Sequence, residues 1–166
     1  MDMRTALMTR RSIRVYSDKA IAESDLRDII TAGIHAPYGC KQIWRFALIR
    51  DAALITEIAA LTIYRKFVAT AKALIVVFHD ESLGYHEIKD AQTMGACIQN
   101  MLLAAHDLGL GAAWIGEILK NEEKVRNLCA APENFKLSAV LSLGYPAKDG
   151  VYEERDSLEK VVFFNR

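Results

Sequence analysis

Apolar positions recur along this chain at two spacings, one helical and one extended, and the two kinds of segment alternate. Residues 23–36 carry Leu26, Ile29, Ile30, Gly33 and Ile34 at i, i+3, i+4, i+7 and i+8, one face of a helix that Pro37 stops. Residues 45–50 predict a strand with an arginine at each end, and residues 52–61 a helix with Asp51 as its N-cap. Residues 73–78 form an unbroken apolar run with β-branched Ile75, Val76 and Val77, the pattern of a strand buried on both faces. A short helix over residues 2–9 precedes them all.

The longest helix is predicted over residues 85–108. Its apolar and small positions, among them Ala91, Met94, Gly95, Ile98, Met101, Leu102, Ala105 and Leu108, recur at a spacing close to 3.5. Such a helix is apolar over much of its circumference and is expected to be covered on several sides. Gly109 and Gly111 end it, and residues 112–115 begin another strand. Asn121 is placed to cap a helix running to residue 129, Pro132 closes that segment, and residues 137–143 predict a further strand. A short apolar run at 161–164 lies in the tail. No repeat or low-complexity stretch interrupts the series. Helices mixed with buried strands predict an α/β or α+β fold in a single domain over 1–166.

Composition narrows the partners. The chain has 166 residues, 52% of them hydrophobic, enough for a sizeable core. Lys+Arg and Asp+Glu balance at 21 each, so the formal charge is zero. A general binder of nucleic acid or anionic membrane needs a basic excess, and neither partner is expected. Cys40, Cys97 and Cys129 are widely spaced with no paired motif, which argues against a disulfide framework or a zinc or iron–sulfur site. With no apolar signal core and no run that would span a bilayer, a reduced, cytoplasmic setting is expected.

Against that neutral background one local cluster stands out. Arg10-Arg11-Ser12-Ile13-Arg14 places three guanidiniums and a hydroxyl within five residues, where the first helix gives way to extended chain. Guanidiniums are planar forks matched to phosphate oxygens, and a serine adds a neutral donor. Taken alone, such a run reads equally as a solvated basic patch. Gly109, Gly111 and Gly116 superficially suggest a dinucleotide fingerprint, but they follow a helix and lead into a strand, the reverse of that motif. Gly116 falls after the strand, where backbone can approach a flat ligand closely. Residues 36–46 form a turn-rich loop between helix and strand, with Trp44 as its anchor. His79-Asp80-Glu81 and His86-Glu87 fit no standard zinc spacing, and no metal is expected. No nucleophile elbow or Walker loop is present, so the chemistry is expected to belong to a cofactor.

These pieces, in order, resemble the nitroreductase family of FMN-dependent oxidoreductases over nearly the whole chain. Arg10 to Arg14 followed by Tyr16 resembles the family's opening signature, and Ala22-Glu23 with Leu26 the start of its second helix. Ala36-Pro37 with Gln42, Trp44, Arg45 and Phe46 is similar to its Ala-Pro-Ser…Asn-x-Gln-Pro-Trp-x-Phe loop. Residues 90–105 resemble its central helix, 108–116 the following turn and strand, and Leu143-Gly144-Tyr145-Pro146 its last strand. Arg155, with Leu158 to Val162, resembles its C-terminal arm.

The resemblance implies an α+β fold, a central mixed β-sheet flanked by helices, with the long helix at a homodimer interface. It also implies an FMN site built from both chains. By position, Arg10, Ser12 and Arg14 would hold the FMN phosphate with Arg11 nearby, and Arg155 would reach it from the tail. Gln42 would contact the flavin, while Trp44 would brace the loop. The turn at Ile115, Gly116 and Glu117 would bring main-chain N–H groups near N5 and O4. NADH or NADPH would deliver hydride to the flavin, and a nitroaromatic, quinone, enone or other electron-poor small molecule would receive it in a ping-pong cycle. Alternatives on the same scaffold are a flavin-binding or flavin-sequestering relative with little turnover, and another flavin reaction such as flavin cleavage or dehalogenation. Departures from the pattern imply a more open pocket and looser FMN retention. Cys40 or Lys41 stands in place of the loop asparagine, Ile43 in place of proline, and Glu153 where a basic residue is common. Glu117, where a second glycine is common, would narrow one edge of the site, and residues 61–71 would offer little cover.

Overall fold

The two longest apolar runs become the middle of a four-stranded sheet. The computed structural model describes residues 1–164. Its strands are β1 (Trp44–Ile49), β2 (Ala73–Asp80), β3 (Gly111–Ile115) and β4 (Phe135–Gly144), in the order β1-β2-β4-β3 with every neighbouring pair antiparallel. β2 and β4 are buried almost throughout, as unbroken apolar runs require when both faces are covered. A parallel component comes from outside the strands, where Ser12 bridges to Ala112 on the free edge of β3.

Side chains alternating along β2 feed two cores. Leu74, Val76 and Phe78 pack on one face with Ile55, Ile58, Val68 and Val125. Those partners come from α3 (Ala52–Ala59), α4 (Arg65–Val68) and α6 (Glu122–Leu128). Ile75 and Val77 point the other way, toward Leu26, Ile29, Ile98 and Met101 of α2 (Glu23–Ile34) and α5 (Glu87–Asp107). The result is three layers, helices on both sides of a sheet. Two short helices, α1 (Met3–Thr9) and α7 (Leu158–Val161), lie at the ends of the chain.

The helix boundaries follow local chemistry. Asp2 accepts from the Thr5 N–H at 3.0 Å and Asp51 from the Leu54 N–H at 2.8 Å, each an N-cap. α2 stops at Ile34, two residues short of the expected end, because His35 and Ala36 turn ahead of Pro37. Asn121 does not cap α6. Its Nδ2 donates instead to the Leu61 carbonyl at 2.7 Å, and a 3₁₀ turn over Glu117–Asn121 leads into the helix. α5 buries Met94, Cys97, Ile98, Met101, Leu102 and Ala105 on its inner side, while Ile88 remains exposed.

Candidate functional site

The arginine cluster is positioned by the sheet edge. After α1 the chain runs extended beside β3, and the Ile13 N–H donates to the Ala112 carbonyl at 3.0 Å. Ile13 is buried, and Gly111 lets it lie close. A Cβ on Gly111 would sit 2.6 Å from the Ile13 Cβ. Two residues beyond Arg14, the buried Tyr16 hydroxyl lies 2.9 Å from the Ile13 carbonyl and 2.8 Å from Ser142 Oγ in β4. Burial pushes that phenol up to about 12, so it stays a neutral anchor.

The tail closes the other side. Ala147 N–H donates to the Val15 carbonyl at 2.9 Å, and Gly150 passes so near that a Cβ there would lie 2.4 Å from the Arg11 Cβ. The Tyr152 ring then covers the Arg11 guanidinium at 4.7 Å. Between segment and tail lies a cavity of about 70 Å³, lined by Arg10, Arg11, Ser12, Arg14 and Arg155 together with Val151 and Glu153. The space is small and its lining is mostly polar, which suits a compact anionic group.

Its electrostatics are those of an anion site. Arg10 is half-buried, and burial, followed by the charges of Arg155 and Arg11, holds its guanidinium below the ordinary arginine value. Among the described residues no carboxylate forms an ion pair with Arg10, Arg11, Arg14 or Arg155. Arg11 Nη1 donates to the carbonyls of Met8 at 2.9 Å and Arg10 at 2.7 Å, so this side chain satisfies the end of α1. Crowded guanidiniums plus a serine hydroxyl fit the oxygens of a phosphate monoester.

The other expected site residues lie elsewhere on the chain. Cys40, Lys41 and Gln42 occupy the bend before β1 and are exposed, outside the cradle. β1 and β3 are opposite edges of the sheet, and the cradle segment lies outside β3, so the bend and the cradle belong to opposite sides of the sheet. Trp44 is buried edge-on against Tyr38 at 5.6 Å and braces the loop. Ile115 is buried at the end of β3, and Gly116 and Glu117 follow it directly. The cradle and this turn therefore share one strand, and the 40–42 bend belongs to the far edge.

Glu117 does not project as a free edge. Its carboxylate accepts from Thr62 Oγ1 at 2.7 Å and from the Ile63 N–H at 3.1 Å, and it pairs with Lys120. These bonds, with Lys120 as the largest influence, hold it below the usual glutamate range. Residues 61–71 hold the short helix α4, beside a cavity of about 690 Å³ lined by Ile63, Tyr64, Phe67 and Lys120 among others.

Asp80 and His79 are held by hydrogen bonds within the fold. Asp80 accepts from Ser82 Oγ and Asn134 Nδ2, both at 2.6 Å, and from Arg45 Nη2 at 3.2 Å. His79 Nδ1 lies 3.0 Å from Ser138 Oγ, and burial pushes its imidazole down. Among the described residues no three His, Cys, Asp or Glu side chains are grouped to hold a metal. Burial raises the Cys97 and Cys129 thiols to about 12 and about 11. Gly150 and Tyr152 are support residues that sequence reasoning missed. The signal available was modest: a glycine and an aromatic residue shortly before Arg155.

Comparison with known proteins agrees with this geometry. A model of the nitroreductase family matches residues 7–81 and 59–145. A protein of Archaeoglobus fulgidus assigned as an NADH dehydrogenase/NAD(P)H nitroreductase is 36% identical over 154 residues, covering 90% of this chain and 88% of its own. The oxygen-insensitive NADPH nitroreductase of Salmonella typhimurium is 32% identical over 179 residues, 96% of this chain and 72% of that protein. A crystal structure from Desulfovibrio desulfuricans, assigned as a nitroreductase and solved in complex with FMN, superposes with a TM-score of 0.92. It is 40% identical and covers 98% of this chain and 96% of its own. On its fold, on the family model and on these relatives, this chain belongs to the nitroreductase family.

Proposed function

We propose that this protein is an FMN-dependent oxidoreductase that takes hydride from NADH or NADPH and passes it to an electron-poor small molecule such as a nitroaromatic, quinone or enone. The observation that carries the reading is the cradle: four guanidiniums and the Ser12 hydroxyl around a cavity of about 70 Å³, none of the arginines ion-paired among the described residues. A phosphate monoester is the ligand that this donor set suits.

Arg10, Ser12 and Arg14 hold the phosphate from the β3 side and Arg155 from the tail. Arg11 keeps its hydrogen bonds to the end of α1 and contributes charge. The turn at Ile115, Gly116 and Glu117 lies at the far end of the same strand and offers main-chain N–H groups to the isoalloxazine. Bound there, FMN supplies the hydride chemistry, accepting from the nicotinamide and donating to the second substrate in alternating half-reactions.

Cys40, Lys41 and Gln42 lie at the opposite edge of the sheet from their own cradle, and the family resemblance implies that they meet the ligand from a second copy of the chain. The reading therefore includes a homodimer of single nitroreductase-like domains with two shared sites. No partner nucleic acid or membrane is invoked; among the described residues no helix is long and apolar enough to cross a bilayer. A cytoplasmic setting is part of this proposal.

Initial rates of NADH or NADPH oxidation, with FMN and varied nitroaromatic or quinone, test the activity. Parallel reciprocal plots are expected. Flavin binding without acceptor-dependent turnover would replace this reading with a flavin-sequestering relative.

A further inference from the structure

The tail enters the cradle in extended form, and its side chains alternate. Val151, Glu153 and Arg155 all line the cavity, whereas Tyr152, between the first two, covers the Arg11 guanidinium. The geometry that delivers Arg155 to the site therefore delivers Glu153 as well. Glu153 is the one carboxylate lining a cavity otherwise surrounded by Arg10, Arg11, Arg14 and Arg155. It pairs with none of them within 4.0 Å among the described residues. Its charge is not consumed in an ion pair and lies beside the space that an anion would occupy.

We propose that Glu153 sets the anion affinity of this site: it adds negative charge to the cradle, repels the phosphate and keeps FMN exchangeable with free flavin. The inference rests on the reading of the cradle as the FMN phosphate site. A carboxylate has only acceptors to offer a phosphate dianion, so the two meet as like charges, with no hydrogen bond to offset the repulsion. Tail packing does not require the charge. Gly150 against Arg11 and Tyr152 over its guanidinium fix the segment, and Glu153 itself is exposed. The arginines alone define a tight phosphate site, and Glu153 weakens it without dismantling it.

The test is the dissociation constant of FMN, and separately of riboflavin, measured by quenching of flavin fluorescence for the natural protein, Glu153→Gln and Glu153→Lys. Glu153→Gln keeps the shape and removes the charge; it should tighten FMN by about tenfold at low salt, and Glu153→Lys by more. Riboflavin, which lacks the phosphate, should bind all three proteins alike. Added salt should narrow the gap between natural protein and variants, because the site is open to solvent. Equal FMN affinity across the three proteins overturns the proposal, as does an equal gain for FMN and riboflavin. FMN bound by all three, unaltered by the variants, would leave the flavin site standing and remove only the role of Glu153. No FMN binding by any of them would remove the flavin reading and this proposal together. Matching thermal unfolding of the variants is the check that the tail keeps its place.

Discussion

Arg14 is exposed, and among the described residues its side chain makes no hydrogen bond, ring contact or ion pair with another protein group. Arg11 is different, committed to the carbonyls of Met8 and Arg10 and to the Tyr152 ring. Removing Arg14 should therefore act on the ligand and not on the fold. Arg14→Ala is expected to weaken FMN binding by about 1.5–3 kcal/mol, the range for hydrogen bonds to charged groups, with an unaltered denaturant midpoint. Calorimetric titration reads the first and urea unfolding the second; full affinity in the variant would move the phosphate elsewhere. Glu117 makes the opposite case, a side chain engaged with the protein. Its carboxylate is held below the ordinary glutamate value by Lys120, then by Thr62 and the Ile63 N–H. The contribution to stability is therefore fully present above the unfolded-state value and lost as pH falls through the lower folded one. Below about pH 4 the segment at Thr62 and Ile63 should loosen. Exchange of the Ile63 amide measures this: its protection should fall with acid in the natural protein, and Glu117→Gln should lack that acid-dependent step.

Edge strand β3 links the fold to the site, since its outer side carries the cradle segment and its end carries the turn at Gly116. Gly111→Ala places a methyl 2.6 Å from the Ile13 Cβ, and both neighbours are buried. Overpacking of this kind costs about 1–3 kcal/mol. Urea unfolding should register that loss, and FMN affinity should fall with it because Arg10 to Arg14 ride on Ile13. Stability lost with affinity retained would uncouple the strand from the cradle. Elements of this kind were legible in the chain because burial and periodicity coincide. The run at residues 73–78 lies within β2, and residues 85–108 contain α5. What was illegible depended on tertiary partners. Asn121 follows a strand-to-helix turn and has the chemistry of a cap, yet the Leu61 carbonyl, 60 residues away, takes its amide. α4 has four residues, too few for a helical period to declare itself.

At the scale of the whole molecule, the exposed apolar tail fits the proposed pair of chains. Leu158, Val161 and Val162 are exposed, and Phe163 is 99% exposed, an apolar arm that a lone chain leaves in water. Light scattering should give twice the 18.6 kDa chain mass, and deleting residues 157–166 should shift it toward one. A monomer at every working concentration would contradict the shared site. The family resemblance grouped Arg10, Ser12, Arg14 and Arg155, and the structure brings the four to one cavity. The sequence did not show that Cys40 to Gln42 sit across the sheet from that site, since strand order is a property of the folded chain.

The central claim is that this cradle holds a flavin reduced by a pyridine nucleotide. The most direct measurement is the visible spectrum of the protein reconstituted with FMN, recorded without oxygen before and after adding NADH and then NADPH. A flavin band shifted from that of free FMN, which bleaches on one or both nucleotides faster than free FMN does, is the predicted result. A spectrum indistinguishable from free FMN, unbleached by either nucleotide, would contradict the account.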